Sequence, residues 1–236
     1  MAVTVAVAAS RVEVWLAVPV GDQRRHAKAL LRRAAGAVLG VGADELDVAR
    51  EPGGRPYVVS RPGGRTRRPA ARVPARALVP VPPPVRVNVS VSHTRGLTAV
   101  AVCTGADVGV DVEPVRELPA LALARRWFGE EDARWIEGHD AALRSRALLW
   151  VWTHKEALGK ARGTGLAGGG RLGPVPLPAS GLPPAPAPGS PVALREIFPG
   201  AGMTSAVPGA PEGYVLCVAG GPGTEGLPVS VTRVDG

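Results

Sequence analysis

Asp111 and Glu113 stand two apart in Gly109-Val-Asp-Val-Glu113, a stretch whose alternating valines read as a strand. Side chains two apart share one face of a strand, so both carboxylates project together while Val108, Val110 and Val112 take the other face. Like charges held side by side disfavour one another unless the face is well solvated or a cation lies between them. A hard divalent cation takes oxygen ligands of this kind, and an exposed acidic strand end is the plainer alternative. A second stretch, Trp152-Thr-His-Lys-Glu-Ala-Leu-Gly-Lys-Ala-Arg-Gly-Thr-Gly-Leu166, reads as the end of a helix that stops at glycines. Glu156 and Lys160 are one turn apart on a shared face, with Lys155 beside them; most such spacings are only solvated pairs. Taken together, Asp111, Glu113 and Glu156 supply three oxygen ligands for one magnesium, and Lys155 and Lys160 supply point charges for phosphate. Phosphoryl chemistry needs that combination.

Elements able to position these groups can be read along the chain. Val12 to Val18 reads as a strand, and Asp22 caps a helix to about Leu39 with Ala27, Leu30, Leu31, Ala34 and Val38 on one face. The other face carries Arg24, Arg25, Lys28, Arg32 and Arg33, a solvated face by default and a lip for phosphate otherwise. Leu46 to Arg50 and Tyr57 to Val59 flank the turn Pro52-Gly-Gly-Arg-Pro56. Val85 to Ser92, the turn His93-Thr-Arg-Gly96 and Leu97 to Cys103 read as strand, turn, strand, with Val85, Val87, Val89 and Val91 on one face and Ser92 and His93 at the rim. Leu118 to about Gly138 reads as helix breaking at Gly129, and Ala141 to Arg162 as a second helix with Asp140 as N-cap. Gly168-Gly-Gly170 and the run Pro174 to Pro191 form an irregular connector, before strands at Gly213 to Ala219 and Pro228 to Val234. The expected class is α+β, with one lobe over residues 1–105 and another over 106–236.

A chain of 236 residues has apolar content enough for a core, and its formal charge of +8 favours an anionic partner of some kind. Much of that excess falls in the Arg61 to Arg76 stretch, which reads as a loop. Met1 to Ser10 lacks a basic leader and reads as a strand rather than a signal, no apolar run is long enough for a bilayer, and Cys103 and Cys217 read as buried thiols. A cytoplasmic protein is expected. A basic nucleic-acid-binding module explains the charge but not the carboxylates, and no zinc knuckle or aromatic platform accompanies it.

Gly109 to Glu113 and Trp152 to Leu166 resemble the two signature motifs of the 4'-phosphopantetheinyl transferases, and the length and Ser92-His93 are similar to the larger Sfp type. Gly54-Arg-Pro56 resembles a further short element of that family. The resemblance covers about residues 50 to 166. It implies two similar lobes related by a pseudo-twofold, with the active site in the cleft between them, in a monomer. It also implies transfer of 4'-phosphopantetheine from coenzyme A to a serine of an apo acyl or peptidyl carrier protein, releasing 3',5'-ADP. On that likeness Asp111, Glu113 and Glu156 hold magnesium on the diphosphate, and Glu156 is the base for the carrier serine. Lys155 and Lys160 stabilise the diphosphate, while Ser92, His93 and Arg55 lie near the adenosine and its 3'-phosphate. Two departures touch the adenine pocket and the carrier-facing helix: Val89-Ser90 before the Ser-His pair, and Trp127-Phe-Gly-Glu-Glu131 after the first motif.

Overall fold

The structure, a computed structural model, describes residues 11–60, 86–166, 171–184, 186–187 and 189–234. The N-terminal strand expected before Ser10 and the arginine-rich Arg61 to Arg76 loop lie outside the described residues.

The described chain is mixed α and β. The elements in order are β1 (Val12–Ala17), α1 (Gln23–Leu39), a 3-10 turn (Ala43–Glu45), β2 (Leu46–Arg50), β3 (Pro56–Ser60), β4 (Arg86–Thr94), β5 (Leu97–Thr104) and β6 (Val108–Pro114). There follow α2 (Ala120–Trp127), α3 (Glu130–Glu137), α4 (Ala141–Arg162), β7 (Val192–Ala193), β8 (Arg195–Glu196), β9 (Thr204–Ala206), β10 (Tyr214–Gly220) and β11 (Pro228–Val234). One sheet runs β2-β3-β4-β5-β1-β11-β7 and the other β6-β10-β9-β8. The seven-stranded sheet therefore takes strands from both ends of the chain, with β11 parallel to β1. None of the helices among the described residues is long and apolar enough to cross a membrane.

Local sequence accounts for most of these limits. Asp22 accepts the Arg25 backbone N–H at 2.8 Å and starts α1, and Gly40 ends it in the left-handed region. Asp140 does precede α4, but its side chain makes no cap hydrogen bond. The helical stretch from Leu118 breaks at Phe128-Gly129 into α2 and α3. The expected four-residue turn at His93 is shorter: β4 continues through Thr94, and Arg95-Gly96 alone turn the chain, with Gly96 at φ 80°.

The alternation in β4 divides two interfaces. Val87 and Val89 are buried with Leu30, Leu31 and Ala34 of α1. The opposite face carries Asn88, Ser90 and Ser92, and it meets β6 rather than water. Asn88 donates to the Ala106 carbonyl at 2.9 Å, Ser90 Oγ accepts the Val110 N–H at 3.0 Å, and Ser92 Oγ accepts the Val112 N–H at 3.4 Å. β6 pairs with β10 along one edge, so these side chains satisfy backbone groups that its ladder leaves open.

Candidate active site

The close approach of α4 to β6 sets the geometry. A Cβ at Gly109 would lie 1.9 Å from the Ala157 carbonyl oxygen, so only a residue without a side chain lets the helix rest on the strand here. Asp111 and Glu113 follow at intervals of two on that face, and α4 answers with Glu156 and Lys160, one turn apart.

Asp111 is 4% exposed. Its Oδ1 accepts from Ser92 Oγ at 2.7 Å and from Lys160 Nζ at 2.8 Å, and Lys160 also donates to the Val110 carbonyl at 3.0 Å. Its Oδ2 is buried with no hydrogen-bond partner. Burial raises the Glu156 pKa, and Asp111 and Glu113 raise it further against the lowering effect of Lys160. Burial and then Asp111 likewise raise Glu113, opposed by Arg116 and by a hydrogen bond with Trp152. Glu113 and Glu156 thus both feel the charge of Asp111. Among the described residues no group of three or more His, Cys, Asp or Glu side chains stands close enough together to hold a metal ion. An all-oxygen donor set with one buried, uncommitted carboxylate oxygen and two carboxylates held against their own ionisation fits a hard divalent cation.

A cavity of about 680 Å³ opens beside this group, between α1, the β2–β3 turn, β4 and the end of α4. Arg24, Lys28, Arg50, Arg55, His93 and Lys160 line it, and among the described residues no acidic side chain does. An anion large enough to need such a volume is its natural occupant. Lys160 belongs to both the cavity and the carboxylate group. Of the residues that the resemblance implies for the nucleotide, His93 and Arg55 line this cavity, and of the first-helix basic residues Arg24 and Lys28 do. Arg55 is not a free cation: it pairs with Asp107 and with Glu51 at 3.4 Å, and donates to the Arg162 carbonyl at 3.0 Å. Ser92 does not line the cavity; its neighbours Ser90 and His93 do.

Lys155 departs most from expectation. Consecutive helix residues are about 100° apart, so Lys155 cannot share the face of Glu156. Its ammonium is sealed against Asp132 of α3 at 2.7 Å and the Gly173 carbonyl at 2.5 Å, with the Phe128 ring centroid 5.3 Å away. The pair is 1% and 7% exposed. It is a strut from α4 to α3 and the connector, and no phosphate reaches it. Sequence gave a signal for this partner only in retrospect: Asp132 sits among acidic residues at the start of α3, where a charge needs no tertiary reason. Asp132→Ala is expected to lower stability by about 3–5 kcal/mol in urea unfolding, because it strands a buried ammonium. Replacing both partners by Leu and Met should recover most of that loss. Beside the strut His154, fully buried, bonds to the Trp150 carbonyl at 2.8 Å and has its pKa pushed down to about 4 by burial, so it stays neutral.

The carboxylate group and the helix that faces it fall in a segment with recognisable relatives. Residues 107–178 match the family model described as the 4'-phosphopantetheinyl transferase superfamily. A Synechocystis sp. protein named "Putative 4'-phosphopantetheinyl transferase" is 31% identical over 81 residues, 34% of this chain. The match spans about a third of that relative, 33% of its length. Residues 107–178, which hold Asp111, Glu113, Glu156 and Lys160, are thus similar to the 4'-phosphopantetheinyl transferase superfamily over about a third of the chain.

Proposed function

We propose that the chain transfers 4'-phosphopantetheine from coenzyme A to a serine hydroxyl of an apo carrier protein, releasing 3',5'-ADP, and that it needs magnesium. The observation that carries the proposal is the meeting, at Lys160, of a cavity whose described charged lining is cationic with Asp111, the carboxylate whose charge Glu113 and Glu156 feel. In this reading the nucleotide part of coenzyme A occupies the cavity, with Arg24, Lys28 and His93 toward its 3'-phosphate. The diphosphate reaches Lys160, which stands where charge develops as the leaving group departs. Asp111, Glu113 and Glu156 would hold the cation, whose contribution is to offset charge on the diphosphate oxygens.

Glu156 takes the proton of the carrier serine, directly or through a water, as the serine oxygen forms its bond to the pantetheine-side phosphorus and the diphosphate P–O bond breaks. Its raised pKa is the direction that strengthens a carboxylate as a base. The N-terminal and C-terminal parts of the chain, 1–105 and 106–236, act in this reading as two similar lobes with the cavity between them. The protein works as a cytoplasmic monomer, and its basic surface speeds encounter with acidic carriers of fatty-acid, polyketide or peptide-synthetase type.

The test is a panel of apo carriers incubated with the chain, coenzyme A and magnesium. One carrier at least should gain the mass of one phosphopantetheine, and EDTA should prevent the gain. No gain on any carrier, together with a shift of duplex DNA at physiological salt, would replace this reading with a nucleic-acid-binding one.

A further inference from the structure

We propose that Ser92 is a positioning residue for Asp111 that selects which carboxylate oxygen faces a divalent cation; this rests on the transferase reading. The resemblance assigns Ser92 to the nucleotide, yet Ser92 does not line the cavity, whereas Ser90 and His93 do. Its surroundings explain why. A hydroxyl has one proton and two lone pairs. The Val112 backbone N–H, 3.4 Å away, occupies one lone pair of Ser92 Oγ, and the proton goes to Asp111 Oδ1 at 2.7 Å. The strand that carries Asp111 therefore fixes the rotor that holds Asp111.

Lys160 donates to the same oxygen at 2.8 Å. Two donors fill the acceptor sites of Oδ1, and Oδ2 is left buried and bare. A neutral donor, unlike a second cation, ties the carboxylate down without cancelling the charge that attracts a metal. Orienting partners of this kind behind a ligating carboxylate commonly change metal affinity by about 10- to 100-fold. With Ala at position 92 only Lys160 still holds Oδ1, and the bare oxygen is aimed less tightly.

Mn²⁺ is titrated into the full chain, with and without coenzyme A, and followed by water-proton relaxation. Ser92→Ala is expected to bind Mn²⁺ about 10-fold or more weakly, and Ser92→Thr to restore most of the affinity. The KM for coenzyme A at saturating metal should stay near wild type. Asn88→Ala removes another stitch from the same face of β4 without touching Asp111. It should leave Mn²⁺ affinity unchanged, separating aim from general loosening. If wild type and Ser92→Ala bind Mn²⁺ equally, the positioning role is lost while the transferase reading stands. A raised KM for coenzyme A with intact Mn²⁺ binding would return Ser92 to the nucleotide site. Failure of the wild type to bind Mn²⁺ under either condition removes both ideas.

Discussion

Glu156→Gln is expected to cut phosphopantetheine transfer by about a thousandfold or more without unfolding the protein, since loss of a general base alone costs about 10²- to 10⁴-fold. Glutamine keeps the shape of the side chain and removes both its charge and its ability to take a proton. The half-buried carboxylate is raised by burial first, then by Asp111, and the net effect of its neighbours does not reverse this. A carboxyl whose folded pKa lies above its unfolded value is a liability at pH values above that folded pKa, because the folded state then holds a charge it disfavours. Without metal, the Gln variant should accordingly melt at or above the wild-type temperature near neutral pH. Below the unfolded pKa both forms are uncharged, and the difference should vanish. The decisive measurement is single-turnover mass gain on an apo carrier, read beside a thermal melt. Transfer within tenfold of wild type would falsify the role of Glu156 as base. Lost transfer with a lowered melting temperature would mean a structural residue instead.

Much of this site is legible in the residues alone, because it is built from short-range rules. Two-residue spacing put Asp111 and Glu113 on one strand face, and four-residue spacing put Glu156 and Lys160 on one helix face. The same helical rule, applied one residue further, would have turned Lys155 away from Glu156; the motif's compactness hid that. What remained illegible depends on contacts distant in sequence. Nothing local marks Asp132 as the partner of Lys155, or Asp107 as a partner of Arg55 across the chain. Ser92 reads as a rim residue, and the side of a strand opposite its valines is ordinarily wet. Here it is a joint between two sheets, and the hydroxyls replace a missing ladder. The short strands β7, β8 and β9 were missed for the same reason: two or three residues carry no periodicity to detect.

Gly109→Ala is expected to be the most damaging conservative change in the chain, costing about 3 kcal/mol or more as an overpacked contact that cannot relax. The glycine is not needed for its backbone angles, since its φ is not in the left-handed region. It is needed for room. The added carbon would lie 1.9 Å from the Ala157 oxygen and 2.7 Å from the Ala161 nitrogen, and both are helix backbone, with no side chain able to swing aside. α4 cannot simply back off, because Val151, Leu158 and Ala161 are buried in the core cluster that holds it. Any shift that made room would carry Glu156 and Lys160 away from Asp111, so the folded fraction should lose transfer as well. Gly138→Ala is the matched control. Its φ of −65° is helical and its nearest neighbours stand at an ordinary 3.5 Å, so its stability should be near wild type. Urea unfolding of both variants decides the matter. If Gly109→Ala stays within about 1 kcal/mol of wild type, a cost typical of ordinary single substitutions, the helix does not rest on the strand as described. The carboxylates and Lys160 would then lack the contact that brings them together.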